Sequence, residues 1–248
     1  MAITGPKSIQ VCLSPALLPY YHLDDTVAVV IDIFRATSSM CYGLANGAKA
    51  IIPVAEVEEC LAYRKHGYLL AAERNGEVVK GFDFGNSPFS YTRDRVEGKT
   101  IVLTTTNGTR AIRHCAGATA VAIGSFLNIG ALSNWLNKQN RHILLVCAGW
   151  KNHVNLEDTV FAGGVISRIS HDDIEMDDSA QVALAMFRQA QGDLAGFLSR
   201  ASHAKRMQHL HIEQDIAFCL QTDTIAVVPV LQNDALVCLN EDQYVSLP

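Results

Sequence analysis

Two stretches place side chains able to bind an oxyanion directly after short apolar runs. The first, Asp32-Ile-Phe-Arg-Ala-Thr37, follows Val27 to Ile31. Asp32 could ligate a metal or attack phosphorus. Arg35 could receive an anion, because its planar fork donates hydrogen bonds in pairs. The same two residues would also serve as an ion pair, or as a helix cap with a surface arginine. The second stretch runs from Ile101 to Ile112. There Thr105, Thr106, Asn107, Gly108 and Thr109 gather hydroxyls and backbone N–H groups at a helix start, where peptide dipoles favour negative charge. Glycine lets the backbone approach a ligand closely. A helix cap needs only one such residue, so a run of threonines points to an anion site.

Other polar loops add candidates. Gly81-Phe-Asp-Phe-Gly-Asn-Ser-Pro88 carries Asp83, Asn86 and Ser87, and Arg74 follows the short run Tyr68 to Leu70. Glu157 and Asp158 stand where a helix begins, a position that favours acids in any case. Hard oxygen donors of this kind suit Mg²⁺, which also holds phosphate oxygens, and Asp32, Asp83, Glu157 and Asp158 are the expected ligand set. Arg35, Arg74, Asn86, Ser87 and the loop 105–109 are the expected substrate contacts. His203 and the pair His209 and His211 read more simply as packed side chains than as metal ligands. Cys147 ends an apolar run and reads as a buried thiol, since no acid–histidine pair is evident beside it.

These residues must be positioned by a scaffold, and composition bounds what it can be. The chain has 248 residues, 49% of them hydrophobic and 18% charged, with 25 acids against 20 bases. That is enough chain for one sizeable core. No basic run marks a nucleic-acid surface. The seven cysteines are scattered and never form C-x-x-C, a pattern of reduced thiols in a cytoplasmic protein. No secretory leader is evident near Met1, and no apolar run approaches the roughly 18 residues of a membrane span.

Apolar, β-rich runs recur at 9–13, 27–33, 50–54, 101–103, 120–123, 143–146, 225–230 and 236–239, and several are continuous rather than alternating, which reads as strands buried on both faces. Helical patterns fall between them, at 36–46, 57–65, 109–115 and 126–137. This alternation predicts a three-layer α/β fold with a largely parallel sheet flanked by helices. The stretch 156–220 shows no convincing strand and reads as three or four helices, among them 178–191 and 193–200. The units starting at Val27 and Ile101 are alike enough to suggest two similar lobes, but residues 1–248 are read as a single domain.

Taken together, these segments resemble the 2-phosphosulfolactate phosphatase (ComB) family. The resemblance runs from about Val27 to Val230. It rests on Asp32-Ile-Phe-Arg-Ala-Thr37, Ala45-Asn-Gly-Ala48, Glu73-Arg74, Gly81 to Pro88, Gly98 to Thr109, Leu156-Glu-Asp158 with Ala162-Gly163, and Asp215-Ile-Ala-Phe-Cys219 before Val228-Pro229. It implies a ComB-like α/β fold and a Mg²⁺-dependent phosphatase that releases sulfolactate and inorganic phosphate, a step of coenzyme M biosynthesis in methane-forming archaea. Ala204 after His203 departs from the glycine the family pattern leads us to expect, which counts against a role for that loop.

Among phosphatases, the haloacid-dehalogenase type would want a second aspartate two positions after Asp32, and Phe34 stands there. The expected reaction is hydrolysis of a small anionic phosphate ester such as a phosphorylated sulfonate. Asp32 either attacks phosphorus or activates water, and water is preferred. A non-catalytic binder of phosphorylated metabolites is the alternative, and a cysteine hydrolase using Cys147 is a third reading. Neither a nucleic acid nor a membrane is an expected partner, and a homo-oligomer is compatible with this picture.

Overall fold

The computed structural model describes residues 5–170, 174–207, 210 and 212–239. The strands are β1 (Ser8–Cys12), β2 (Thr26–Ile31), β3 (Ala50–Pro53), β4 (Leu69–Arg74), β5 (Glu77–Val78), β6 (Thr100–Thr104), β7 (Ala120–Gly124), β8 (His142–Cys147), β9 (Glu175–Met176), β10 (Pro229–Gln232) and β11 (Ala235–Cys238). The helices are α1 (Ala36–Ala45), α2 (Val57–Ala62), α3 (Arg93–Val96), α4 (Gly108–His114), α5 (Ile129–Leu136), α6 (Leu156–Ile166), α7 (Asp178–Ala190), α8 (Leu194–Leu198), α9 (Ser202–Met207) and α10 (Glu213–Cys219).

All eleven strands join one sheet in the order β5-β4-β6-β3-β11-β10-β7-β2-β8-β1-β9. Two parallel units are visible within it. One is β9-β1-β8-β2-β7 and the other β3-β6-β4. The antiparallel hairpin β10–β11 sits between them. It meets β7 through Val230 and Ala122, and β3 through Leu236 and Ile51. The fold is the α/β class expected, with its two strand–loop–helix units bridged by the C-terminal hairpin.

Strand periodicity explains the layers. Successive side chains of a strand point to opposite faces. Val27, Val29 and Ile31 of β2 enter one core with residues of α5, α6 and α7. Ala28 and Val30 enter the other with residues of α1 and α4. β8 divides the same way, Ile143, Leu145 and Cys147 against Leu144 and Val146. A strand buried on both faces must be apolar throughout, which is why these runs do not alternate in polarity.

Helix α6 lies deep beneath α7 because its surface is small. A Cβ at Gly163 would stand 2.0 Å from the Ala183 carbonyl oxygen. The stretch 156–220 differs from expectation: its described residues hold five α-helices, and the short strand β9 pairs with β1. Two residues of edge strand carry too little pattern to stand out in a sequence.

Candidate active site

The turn after β2 builds the first half of the site. The Thr37 hydroxyl accepts a hydrogen bond from the Asp32 N–H (3.1 Å) and donates to the Asp32 carbonyl (2.9 Å). Thr37 therefore fixes the turn, and the Asp32 carboxylate is left for the cavity. α1 starts from Arg35, with no side-chain cap, so Asp32 is not a capping residue. Arg35 is buried. Its Nη1 donates to Asp215 Oδ2 of α10, and its Nη2 donates to the Gly76 carbonyl (2.8 Å). Its Nε has no partner among the described residues. A buried unpaired donor costs about 1–3 kcal/mol, so an acceptor is wanted there.

Asp32 and Arg35 share a cavity of about 250 Å³ with Glu73, Asn86, Thr106 and His203. Asn107 and Trp150 also line it. The polar exits of β2, β4 and β6 thus converge as the sequence suggested. Gly108 is required by this closeness. A Cβ there would lie 2.8 Å from Asp32 Oδ2 and 2.9 Å from the Ala36 Cβ.

The threonine loop does a different job from the one expected for all its members. The Thr105 N–H donates to Thr109 Oγ1 (3.1 Å), and the Thr109 N–H donates to Thr105 Oγ1 (3.2 Å). Thr109 Oγ1 also donates to the Thr105 carbonyl (3.2 Å). Both threonines are buried and spend their hydroxyls closing the turn. α4 is only seven residues long, too short for a strong terminal field. Thr106 and Asn107 are the members that face the cavity, and Thr106 Oγ1 stands 3.4 Å from Glu73 Oε2.

Several other expected site residues serve as supports. Asp83 Oδ2 accepts from the Leu70 N–H at 2.8 Å and pins its loop to β4, outside the cavity lining. Arg74 donates to Thr104 Oγ1 (3.0 Å) and to the Glu73 carbonyl (2.7 Å), also outside it. Ser87 donates to Asp215 Oδ1 (2.9 Å), behind Arg35. Asp158 accepts from the Ile33 N–H (3.0 Å) and the Gly149 N–H (3.1 Å), tying α6 to the exits of β2 and β8. Glu157 Oε1 holds His203 Nδ1 at 2.5 Å. Neither acid of α6 lines the cavity. The sequence could not assign the partners of Ser87, Glu157 and Asp158, because those bonds join elements remote in the chain.

Burial sets the electrostatics. Asp32 is pushed up to about 7, first by desolvation. The charge of His203 opposes the rise, while Glu73 and Glu157 add to it. Asp158 lies well above the usual carboxylate range for the same leading reason, with Glu157 and Asp32 adding repulsion. Arg35 is matched by Asp215 and His203 by Glu157. Asp32 and Glu73 remain without a cationic partner in these ion pairs. The buried oxygens Asn86 Oδ1 and Glu157 Oε2 also lack a hydrogen-bond donor. Among the described residues no three His, Cys, Asp or Glu side chains form a ready cation cage.

The sequence reading assigned no role to Glu73, Asp215 or Trp150 and discounted His203. Glu73 and Asp215 lay within recognised segments, but nothing in their spacing marked them. His209 and His211 lie outside the described residues. Cys147 is fully buried in the core among α5 and α6 side chains, and burial drives its thiol well above the ordinary value. It is no nucleophile. Among the described residues, no helix is long and apolar enough to cross a membrane.

A family model described as 2-phosphosulpholactate phosphatase matches residues 12–234. A protein of Thermotoga petrophila named as a probable 2-phosphosulfolactate phosphatase is 41% identical over 221 residues, 89% of this chain and 96% of its own. One of Caldanaerobacter subterraneus subsp. tengcongensis with the same name is 38% identical, covering 85% and 90%. One of Gloeobacter violaceus, again so named, is 37% identical, covering 89% and 94%.

Proposed function

The chain belongs to the 2-phosphosulpholactate phosphatase family, and from that premise we propose that it hydrolyses 2-phosphosulfolactate, or a closely similar anionic phosphate monoester, with Mg²⁺ as cofactor. The observation that carries the metal requirement is a charge imbalance. Among the described residues, the one guanidinium lining the cavity is already matched by Asp215, yet Asp32 and Glu73 both line it. An ester bearing several negative charges enters such a cavity only with a cation. Mg²⁺ binds well through one or two carboxylates, water and phosphate, without a full protein cage. Asp32 and Glu73 would hold it, with the Asn86 Oδ1 oxygen beside them. Bound there, it would offset the carboxylates and polarise the phosphoryl oxygens.

The chain's own groups supply the rest. Arg35, held in place through both Nη atoms and lining the cavity, would meet a phosphoryl oxygen with its guanidinium charge. Thr106 and Asn107 add donors on the other side. Asp32, a carboxylate on the cavity wall without a cationic side-chain partner, is placed to accept a proton from the attacking water. A non-catalytic binder is not favoured, since such a protein has no use for two unmatched carboxylates beside an anion.

Phosphate release from 2-phosphosulfolactate by the full chain tests the reading. Turnover is expected with Mg²⁺, and is expected to vanish with chelator and in Asp32→Asn. Undiminished turnover under either change would overturn it. An acyl phosphate trapped on Asp32 would replace water attack by direct attack.

A further inference from the structure

Breaking the ester bond leaves an alkoxide, which is a poor leaving group unless it is protonated as it departs. Asp32 is assigned to the attacking water, and Glu73 accepts the Gly76 N–H. His203 is the imidazole of the cavity wall. It is largely buried, and its Nδ1 is held by Glu157 Oε1 at 2.5 Å. Glu157 is itself fully buried, and its other oxygen has no partner among the described residues. The Phe34 ring lies 6.1 Å from the imidazole, between ring centroids. The ring is therefore fixed from behind by a carboxylate that assigns the Nδ1 proton, an arrangement that orients an imidazole for proton transfer through its other nitrogen.

We propose that His203 is the general acid of the reaction, with Glu157 as its positioning residue. As water oxygen bonds to phosphorus, the bond from phosphorus to the ester oxygen breaks and its electron pair stays on that oxygen. The oxygen takes the Nε2 proton. The proton lost by water goes to Asp32 and returns to His203 through solvent, so one water is consumed and no oxidant or reductant is needed. This assignment rests on the phosphatase reading above.

The test compares an alkyl phosphate with a nitrophenyl phosphate, whose leaving group departs without a proton. Measurable turnover of both by the wild-type Mg²⁺ enzyme is the control, and its failure would be a failure of the phosphatase reading itself. In His203→Gln the ratio of alkyl to nitrophenyl turnover is expected to fall about 10²- to 10⁴-fold. Glu157→Gln keeps the shape but removes the charge facing Nδ1, and should shift the ratio the same way by a smaller factor. It also carries the test if His203→Gln does not fold. A parallel loss on both esters would overturn the proposal, making His203 a phosphate ligand or a structural residue. An unchanged ratio would overturn it equally.

Discussion

Asp215 and Arg35, 180 residues apart, form a buried ion pair that joins α10 to the turn after β2. Ser87 donates to the far oxygen of the carboxylate and Gly76 accepts from the guanidinium. The pair holds the Arg35 guanidinium at the cavity wall. Removing one partner of a buried pair costs about 3–5 kcal/mol, because the other charge is stranded. Asp215→Ala is therefore expected to lose about that much stability in urea titration. Asp215→Asn, which keeps the hydrogen-bonding shape, should lose less and show its main defect as a raised KM. Near wild-type stability in Asp215→Ala would show that the pair does not carry this load.

Gly108 tolerates no side chain against Asp32. Gly108→Ala should force the carboxylate or α1 to move, with an overpacking cost of about 1–3 kcal/mol and a drop in kcat of about tenfold or more. Gly192 has nothing within 4 Å of its would-be Cβ, so Gly192→Ala serves as the matched control, with kcat expected at the wild-type value.

The two kinds of threonine in the loop should separate in mutagenesis. Thr109→Val removes the hydroxyl that accepts from the Thr105 N–H and donates to its carbonyl. It should cost about 1–2 kcal/mol of stability. Thr106→Val should leave thermal stability nearly unchanged and raise KM. The reverse pattern would restore Thr109 to the anion site.

The buried acids give a definite sign to the pH dependence of the metal-free protein. The Asp32 and Asp158 carboxyls lie above their ordinary values in the folded state, so the native protein binds more protons than the unfolded chain in that range. Stability then falls as pH rises from the ordinary carboxylate range, about 4, through 7. The Tm without metal is expected to be lower at pH 8 than at pH 6. Added Mg²⁺ should raise Tm more at pH 8, where its ligands are ionised. A metal-free Tm that rises across this interval would contradict the assignment.

All seven cysteines are free and only Cys238 is partly exposed. Burial raises Cys41, Cys115 and Cys219 to about 12 and Cys147 well above its ordinary value. Since the thiolate is the reactive form, the folded protein should keep full activity after iodoacetamide at neutral pH. Mass spectrometry should find label at Cys238 first.

Much of the fold was legible because burial on both faces forces a strand to be continuously apolar, and β2, β6, β7 and β8 fall where such runs occur. The run 225–230 was less faithful. Only Pro229–Gln232 and Ala235–Cys238 form the closing hairpin, and its place between the two parallel units leaves no local mark. Residues at strand exits were legible too. Asp32, Arg35, Thr106 and Asn107 reach the cavity because loops following parallel strands gather at one end, and Asn86 joins them from the loop after β5.

Roles within that set were another matter. The hydroxyl of Thr105 and that of Thr106 are chemically the same, and only the turn geometry sends one into the turn's own hydrogen bonds and the other to the cavity wall. Glu157 and Asp158 looked like a metal pair, yet one orients His203 and the other anchors two backbone amides. The sequence by itself determined the layers and the stock of polar groups, since both follow from local periodicity and residue type. The tertiary structure decided which carboxylate meets Arg35, which meets His203 and which are left unmatched. Those choices depend on distances between chain segments up to 180 residues apart, and on the loss of water that makes each match or mismatch costly.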